Sequence, residues 1–278
     1  MKSLESGSEA GSSATLTRVV RLVIDKKPGW GVVVGDTIRR LSGHPFIAWE
    51  VGEPLKDVQR ASLLPPTEPS KVVCVGLNYK AHAEESHAEI PDEALLFFKP
   101  PSAVIGPGVP IVLPPQSARV DYEAELALVI GTRCRNVAPR DAWSYVAGVT
   151  CGNDVTARDL QAADDQWTRA KGFDTFCPLG PWLVMGISES GLEELRVVCR
   201  VNGEVRQEGW VSDMVFSPTE LIAYVSSIMT LEPGDVIMTG TPEGVGPLGQ
   251  GDVVEVEVES VGILRNPVAA PMTRGDTV

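Results

Sequence analysis

Apolar and polar residues alternate near the C-terminal end of the chain. Val254, Val256 and Val258 are separated by glutamates, so a strand here would bury one face and expose the other. Similar short apolar runs bounded by glycine or proline recur along the sequence and predict further strands. The predicted strands are 18–24, 31–34, 36–41, 71–76, 95–99, 110–113, 122–131, 197–201, 235–239 and 253–258, and the predicted helices are 79–89, 139–146, 157–163 and 218–227. This pattern predicts a strand-rich, mixed α/β fold with short helices rather than regular βαβ units.

Proline marks a division in the chain. The stretch 65–70 carries three prolines, which neither a helix interior nor a central strand accepts. We expect it to link a small β-rich N-terminal domain, 15–64, to a large domain, 71–270. Residues 1–14 are rich in Ser, Gly and Glu and lack the apolar run of a secretory signal, so we expect a disordered leader there and a short tail at 271–278.

Charge narrows the class of partner. The 278 residues include 24 Lys and Arg against 37 Asp and Glu, a formal net charge of −13. Nucleic-acid backbones and anionic lipid surfaces both need clustered cations, so the acidic excess disfavours them as partners. The apolar runs are strand-sized and too short to span a bilayer.

The cysteines indicate the redox environment. There are five, an odd number, widely spaced and without a CxxC pair. This usage favours free thiols in a reducing compartment, the cytoplasm, over a disulfide framework or a zinc site.

Two glutamates lead into the predicted strand 122–131. In a strand, Glu123 and Glu125 share one face with Ala127 and Val129. Two like charges carried into a core repel each other, so either a cation binds between them or one carboxyl stays protonated. If the first half of the strand is exposed, both glutamates are simply solvated, and the pattern alone does not separate these cases.

A third carboxylate ends the segment GVTCGND, 148–154. Taken alone, Asp154 is better explained as a cap or Asx turn before the helix that follows. Next to the two glutamates, however, it would complete a set of three oxygen ligands. Such a set, without thiolate or imidazole, favours Mg²⁺ or Mn²⁺.

One histidine has a carboxylate at helical spacing. His82 and Glu85 are three positions apart, so their side chains meet on a helix. A carboxylate that accepts from one imidazole nitrogen leaves the other nitrogen as a base. An exposed helix face produces the same spacing by chance, but His82 follows a Gly-Leu-Asn-Tyr turn at a strand end, where active-site loops gather. His44 and His87 have no comparable neighbourhood and receive no role.

Two loops add candidate substrate contacts. Lys171 lies beside glycine and between aromatic residues in AKGFDTF, 170–176. The turn TGTPEGVG, 239–246, lacks the Lys-Ser/Thr of a P-loop, but its amides and Thr241 could hold a carboxylate. A tight hairpin connection explains the same turn equally well.

Seven segments follow one another in a defined order: VGLNYKAHAEE, LLFFKP, DYEAELALVIG, GNDVTARDLQ, WTRAKGFDTFCPLGPWL, VNGEVRQEG, and LEPGDVIMTGTPEGVG with the GDVVEVEVESVG that follows it. In this order they resemble the fumarylacetoacetate hydrolase family. The similarity covers about residues 71–265, and the N-terminal strands resemble the small domain of longer members. It implies a mixed β-roll core with short flanking helices, usually assembled as a homodimer.

The resemblance also implies roles for single residues. Metal ligands fall on Glu123, Glu125 and Asp154, the catalytic pair on His82 and Glu85, a substrate-contacting lysine on Lys171, and contacts to the substrate carboxylate on Gln161 and Thr241. One Mg²⁺ or Mn²⁺ ion per subunit is implied. Leu77 stands where some decarboxylases and acylpyruvases of the family have arginine, which weakens a transfer of their substrate.

The reaction implied by the resemblance passes through the enolate of a 2-oxo acid held by the cation. We expect hydrolysis of a C–C bond in an acylpyruvate-like 1,3-dicarbonyl, with His82 activating water and Lys171 stabilising the negative charge that develops. Decarboxylation of an oxaloacetate-like acid or isomerisation of a 2-hydroxymuconate-type diacid would use the same enolate. A non-catalytic module that binds metal and a 2-oxo acid is a further alternative.

Overall fold

The computed structural model describes residues 16–55 and 63–270, so the predicted leader 1–14 and tail 271–278 lie outside the described residues. The strands are β1 Thr17–Ile24, β2 Lys27–Val34, β3 Thr37–His44, β4 Ala48–Pro54, β5 Val72–Gly76, β6 Leu95–Lys99, β7 Val104–Ile105, β8 Ile111–Val112, β9 Val120–Tyr122, β10 Ala124–Ile130, β11 Val146–Asn153, β12 Thr156–Ala157, β13 Cys177–Met185, β14 Arg196–Val201, β15 Glu204–Trp210, β16 Val236–Met238, β17 Gly246–Pro247, β18 Val253–Val258 and β19 Gly262–Ala269. The helices are α1 Lys80–Glu85, α2 Pro139–Ala142, α3 Arg158–Ala163, α4 Thr168–Lys171, α5 Glu189–Leu192 and α6 Pro218–Ile228.

Most strands join one eleven-stranded sheet. Its order is β4-β3-β2-β1-β13-β11-β10-β16-β5-β6, and β7 pairs with β13. A five-stranded sheet, β15-β14-β18-β19-β8, packs through β18 and β19 against β10, β11 and β13. A three-stranded sheet, β12-β9-β17, is built from short strands. Strand β9 directly precedes β10, β12 follows β11, and β17 comes from the later turn and pairs with β9. The fold class predicted from the sequence, strand-rich and mixed α/β with an N-terminal β-rich domain, is confirmed.

Strand β10 is buried on both faces. Leu128 belongs to the core shared with β14 and β18, whereas Val129 packs with residues of β1 and β13 on the opposite face. A strand covered on both sides needs a continuous apolar run, which β10 has from Leu126 onward. Its antiparallel partner β11 places Asn153 opposite Ala124. The start of β10 and the end of β11 therefore meet at one edge of the core.

The four N-terminal strands continue the large sheet as an antiparallel meander. Strand β1 pairs with β13, and the first hairpin turns at Asp25 and Lys26, whose φ angles are 52° and 64°. Two positive φ angles are typical of a type I′ turn, which matches the twist of the flanking strands. The Pro28-Gly29 dipeptide between the predicted strands 18–24 and 31–34 is itself a turn signal and predicts the turn at those two residues. That prediction is wrong, because Pro28 lies near the start of β2, a position that a strand allows to proline. The domain boundaries 15–64, 65–70 and 71–270 stay predictions.

Two further elements differ from expectation. The predicted helix 79–89 ends at Glu85, because His87 takes a φ of 53° that an α-helix does not admit. The predicted strand 122–131 is interrupted at Glu123, whose amide bonds to the side chain of Asn153 and whose carbonyl accepts from the amide of Asp154.

Helix α6, the longest helix within 16–55 and 63–270, has 11 residues and begins with a capping box formed by Ser217 and Glu220. Among the described residues, no helix is long and apolar enough to cross a membrane.

Candidate active site

One cavity gathers most of the predicted site residues. It has a volume of about 270 Å³ and lies where β5, β6, β10 and β11 meet the helices α1, α3 and α4. The predicted residues that line it are His82, Glu123, Glu125, Asp154, Gln161, Lys171 and Thr241. Glu85 lies behind His82 rather than in the wall. The structure thus brings together residues that are up to 159 positions apart in sequence, although their roles remain predictions.

The three predicted metal ligands form a compact cluster. Each of Glu123, Glu125 and Asp154 offers one oxygen within 4.8 Å of the other two. All three are buried, with 4%, 1% and 1% of their surface exposed. Glu123 and Glu125 flank the start of β10 and Asp154 directly follows β11, so the pairing of these two strands creates the cluster. The exposed-glutamate alternative for 122–131 is thereby excluded.

Lys171 bridges two members of this cluster. Its ammonium donates to Oε2 of Glu123 at 2.9 Å and to Oδ2 of Asp154 at 2.6 Å, and its side chain is 2% exposed. Burial opposes the charge, but the two carboxylates outweigh it and raise the pKa of Lys171. Lys171 therefore remains a cation inside the cavity wall.

A second lysine, Lys99, lies beneath the cluster and was not predicted. Its ammonium donates to the carbonyl oxygens of Val155 and Lys171 at 2.9 and 2.7 Å. It also lies 2.7 Å from Oδ1 of Asp154, an ion-pair contact that lacks hydrogen-bond alignment and leaves that oxygen without an aligned donor. The sequence signal was present in LLFFKP, because a lysine that ends an apolar strand must find partners if it is buried.

The charges of the cluster suit a divalent cation. Burial, reinforced by Asp154 and Glu123, raises the pKa of Glu125 well above its usual value. For Glu123, burial acts in the same direction but is outweighed by Lys171 and Arg158, which lower its pKa. Glu123 and Asp154 thus have cationic partners, whereas no ion pair is formed by Glu125 within the described part of the chain. A set of three oxygen donors, with Oδ1 of Asp154 free of an aligned hydrogen bond, fits a hard cation such as Mg²⁺ or Mn²⁺.

The predicted His–Glu pair forms on α1. Nδ1 of His82 lies 3.3 Å from Oε2 of Glu85. The amide of Gly244 donates to the same carboxylate, at 3.0 Å to Oε1 and 3.2 Å to Oε2. His82 is buried and lines the cavity. With Nδ1 occupied by Glu85, Nε2 is the imidazole nitrogen that remains for a ligand.

Gly244 is required by its surroundings. It has a φ of 93°, and a Cβ at this position would lie 2.1 Å from the carbonyl oxygen of Arg206. The carbonyl of Gly244 accepts from the hydroxyl of Tyr122 at 3.0 Å. The turn 239–246 is therefore more than a hairpin connection, because its backbone holds the carboxylate of the His–Glu pair.

Thr241 is committed to the protein. Its hydroxyl donates to the carbonyl of Ala124 at 2.8 Å and accepts from Nε2 of Gln207 at 2.7 Å. The expectation that Thr241 holds a substrate carboxylate therefore cannot rest on its hydroxyl proton without breaking the bond to Ala124. A lone pair of its oxygen and its main chain remain for a ligand.

Two further residues shape the cavity wall. Leu77 lines the cavity with a φ of 56°, an uncommon conformation for a non-glycine residue. Asn78 holds this segment in place, because its side-chain amide donates to the carbonyls of Phe216 and Thr239 and its oxygen accepts from the amide of Phe216. Apart from its place in the Gly-Leu-Asn-Tyr turn, no pattern in the sequence pointed to Asn78.

Comparison with known proteins places this geometry in context. Residues 71–269 match the family described as fumarylacetoacetate (FAA) hydrolase, C-terminal, and residues 17–66 match one described as Rv2993c-like, N-terminal. An uncharacterized protein of Archaeoglobus fulgidus is 57% identical over 203 residues, which cover 73% of this chain and 80% of that protein. A human mitochondrial oxaloacetate tautomerase is 48% identical over 215 residues, 74% of this chain and 68% of that protein.

A solved structure extends the match over nearly the whole fold. It is described as 5-carboxymethyl-2-hydroxymuconate delta-isomerase from Mycobacterium smegmatis. The two chains are 43% identical with a TM-score of 0.83, and the match covers 91% of this chain and 99% of that one.

Proposed function

We propose that this chain, which belongs to the fumarylacetoacetate hydrolase family, is a divalent-metal-dependent enzyme. It forms the enolate of a 2-oxo acid and moves a proton at the carbon next to the keto group. The observation that carries this proposal is the shared cavity: the buried cluster Glu123, Glu125 and Asp154 lies in the same wall as a histidine whose Nδ1 is held by a carboxylate. Keto–enol tautomerisation or isomerisation needs only these parts.

Each residue has a defined task in this proposal. A divalent cation held by the three carboxylates would supply Lewis-acid polarisation of the 2-oxo group. Through Nε2, His82 takes a proton from the substrate carbon next to the keto group. It returns the proton to the enolate oxygen in tautomerisation, or to the far carbon of the diene in isomerisation, so no atom is lost or gained. Glu85 fixes the tautomer of His82 and stabilises its charged form. Lys171 keeps a positive charge next to the oxygen on which negative charge develops.

The relatives support proton transfer as the first candidate reaction. One carries the name oxaloacetate tautomerase and another hydroxymuconate isomerase, and both names describe movement of a double bond by proton transfer. Hydrolysis of an acylpyruvate-like C–C bond is the second candidate. It is favoured by the His82–Glu85 pair, because the same base can activate a water molecule. Decarboxylation of an oxaloacetate-like acid forms the same enolate and needs neither the base nor the water molecule.

A substrate panel tests the proposal. Oxaloacetate, an acylpyruvate and a hydroxymuconate-type diacid are each offered with Mg²⁺ and with Mn²⁺, and the products are identified by ultraviolet absorbance and mass spectrometry. We expect faster keto–enol exchange of oxaloacetate or isomerisation of the dienoic diacid, lost in His82→Ala and retained in His87→Asn. His87 is the matched control because it is exposed on the adjacent loop and does not line the cavity. Binding of Mn²⁺ without turnover of any of the three would instead favour a non-catalytic binding module.

Assembly and compartment complete the proposal. We propose a homodimer, as the family resemblance implies, and size-exclusion chromatography with light scattering tests it. All five cysteines are free and buried in the structure, which supports the proposed location in a reducing compartment, the cytoplasm.

A further inference from the structure

Arg158 lines the cavity but its charge is already neutralised by the protein. It is the first residue of α3, and its Nε donates to Oδ2 of Asp121 at 2.9 Å. Its Nη2 donates to Oε1 of Glu123 at 2.5 Å. Two carboxylates therefore hold the guanidinium, and a substrate anion would have to compete with both for its charge.

The third nitrogen of Arg158 sets the orientation of a neighbouring amide. Nη1 donates to Oε1 of Gln161 at 2.5 Å, one helical turn further along α3. An arginine has donors only, so the Gln161 atom that faces it must be the oxygen. The NH₂ group of Gln161 is then the end left for a ligand, and Gln161 lines the cavity.

The orientation is locked by a buried aspartate. Asp121 has no exposed surface and accepts hydrogen bonds from both Arg158 and Arg119. A guanidinium bonded through all three nitrogens cannot rotate without breaking several charge-assisted bonds. The amide of Gln161 is consequently held in one of its two orientations before a ligand arrives, which lowers the entropy lost on binding.

We propose that Arg158 is a positioning residue that holds the Gln161 amide with its NH₂ group toward the cavity, so that this wall requires a hydrogen-bond acceptor oxygen on the ligand. The identity of that ligand as a 2-oxo acid rests on the proposed function; the orientation of the amide does not. This wall therefore selects for a hydrogen-bond acceptor through a neutral donor, and a ligand that places an N–H group there leaves a donor facing a donor.

A double-mutant cycle tests whether Arg158 acts through Gln161. The variants are Arg158→Lys, Gln161→Met and the pair, and the readout is the Kd of oxalate, a non-reacting dicarboxylate, for the Mn²⁺-loaded protein by calorimetry. Lysine keeps the charge, but its single nitrogen cannot hold Asp121, Glu123 and Gln161 together. We expect each single variant to weaken oxalate binding by about tenfold, the typical value of one hydrogen bond, and the pair to be no weaker than Gln161→Met alone. Additive losses would overturn the proposal.

Two controls separate this role from a structural one. Arg119→Lys alters the other arginine that bonds to Asp121. The Arg119 side chain is 53% exposed and does not line the cavity, so oxalate binding by this variant should stay within about twofold of wild type. A loss equal to that of Arg158→Lys would trace the effect to Asp121 and refute the amide lock. The Kd of Mn²⁺ is measured for every variant, because Arg158 also bonds to Glu123.

If Arg158→Lys does not fold, a further variant tests whether the NH₂ group of Gln161 faces the ligand. Gln161→Glu keeps an oxygen for Arg158 but turns a carboxylate oxygen toward the cavity, so oxalate binding should fall further than in Gln161→Met. Wild-type affinity in Gln161→Glu would show that the NH₂ group does not face the ligand, and no oxalate binding by the wild-type protein would count equally against the inference. Tight oxalate binding with this order of variants, but no turnover of the substrate panel, would refute the proposed function and leave the amide lock intact.

Discussion

The hydrogen bond from Gly244 to Glu85 makes a specific prediction about two substitutions. In Glu85→Gln, the amide oxygen must face the N–H of Gly244, since an N–H cannot pair with NH₂. The NH₂ group then faces Nδ1 of His82 and donates to it, which places the imidazole proton on Nε2. His82 would present a proton to the cavity where the reaction needs a base, so the conservative Glu85→Gln should be more damaging than Glu85→Ala.

The magnitude follows from the contacts. The His82–Glu85 contact is 3.3 Å long and the Glu85 side chain is 36% exposed, so its value lies at the low end for charged hydrogen bonds, about 1.5 kcal/mol. Since about 1.4 kcal/mol corresponds to a tenfold change in rate, Glu85→Ala should lower kcat by roughly tenfold. Glu85→Gln loses the same interaction and adds about 1 kcal/mol for a hydrogen bond that favours the wrong tautomer, so kcat should fall by roughly 50- to 100-fold.

Steady-state kinetics on the best substrate of the panel, at saturating Mn²⁺, measures this difference. KM should change little, because Glu85 does not line the cavity. Glu84→Gln is the matched control: it alters an exposed glutamate of the same helix and should leave kcat unchanged. A kcat for Glu85→Gln equal to or above that of Glu85→Ala would refute the tautomer argument, and equal kcat values for both variants and wild type would remove Glu85 from the mechanism.

Three other predictions follow from the same structure. Asp154→Asn should weaken Mn²⁺ binding by about tenfold or more, and wild-type affinity in a calorimetric titration would remove this residue from the ligand set. Gly244→Ala should lower the free energy of unfolding by roughly 2 kcal/mol, because its Cβ would meet the carbonyl of Arg206 and its φ is positive; chemical denaturation measures the loss. Burial raises the pKa of Cys151 and Cys177 from 9.0 to about 12. An unfolded thiol therefore ionises first, and stability should hold below about pH 9 and fall as the pH rises toward 12, less steeply in Cys151→Ala; identical slopes would contradict this.

Local sequence patterns predicted a strand or a residue pair correctly where the feature lies within a single strand or helix. Continuous apolar runs located β5 and β10, and the spacing of His82 and Glu85 was sufficient to pair them on α1. The first hairpin turn was misplaced because two positive φ angles at Asp25 and Lys26 leave a weaker sequence signal than a Pro-Gly dipeptide. Strands β13 and β19 are among those that were not predicted, because proline and glycine interrupt their apolar runs.

The site required information that no segment holds. Whether Glu123 and Glu125 are solvated or buried beside Asp154 depends on the pairing of β10 with β11, and the local Glu-Ala-Glu pattern without the family resemblance left that question open. Lys99 and Arg158 were overlooked for the same reason, since their partners lie on other elements. The fold class, the family and the oxygen-rich candidate ligands could be predicted from the chain alone, because they follow from periodicity and from motifs in order. Which carboxylates share a cation, which hydrogen-bond donors already have partners and which way an amide faces became known from the folded structure, because burial and hydrogen-bond partners depend on residues distant in the chain.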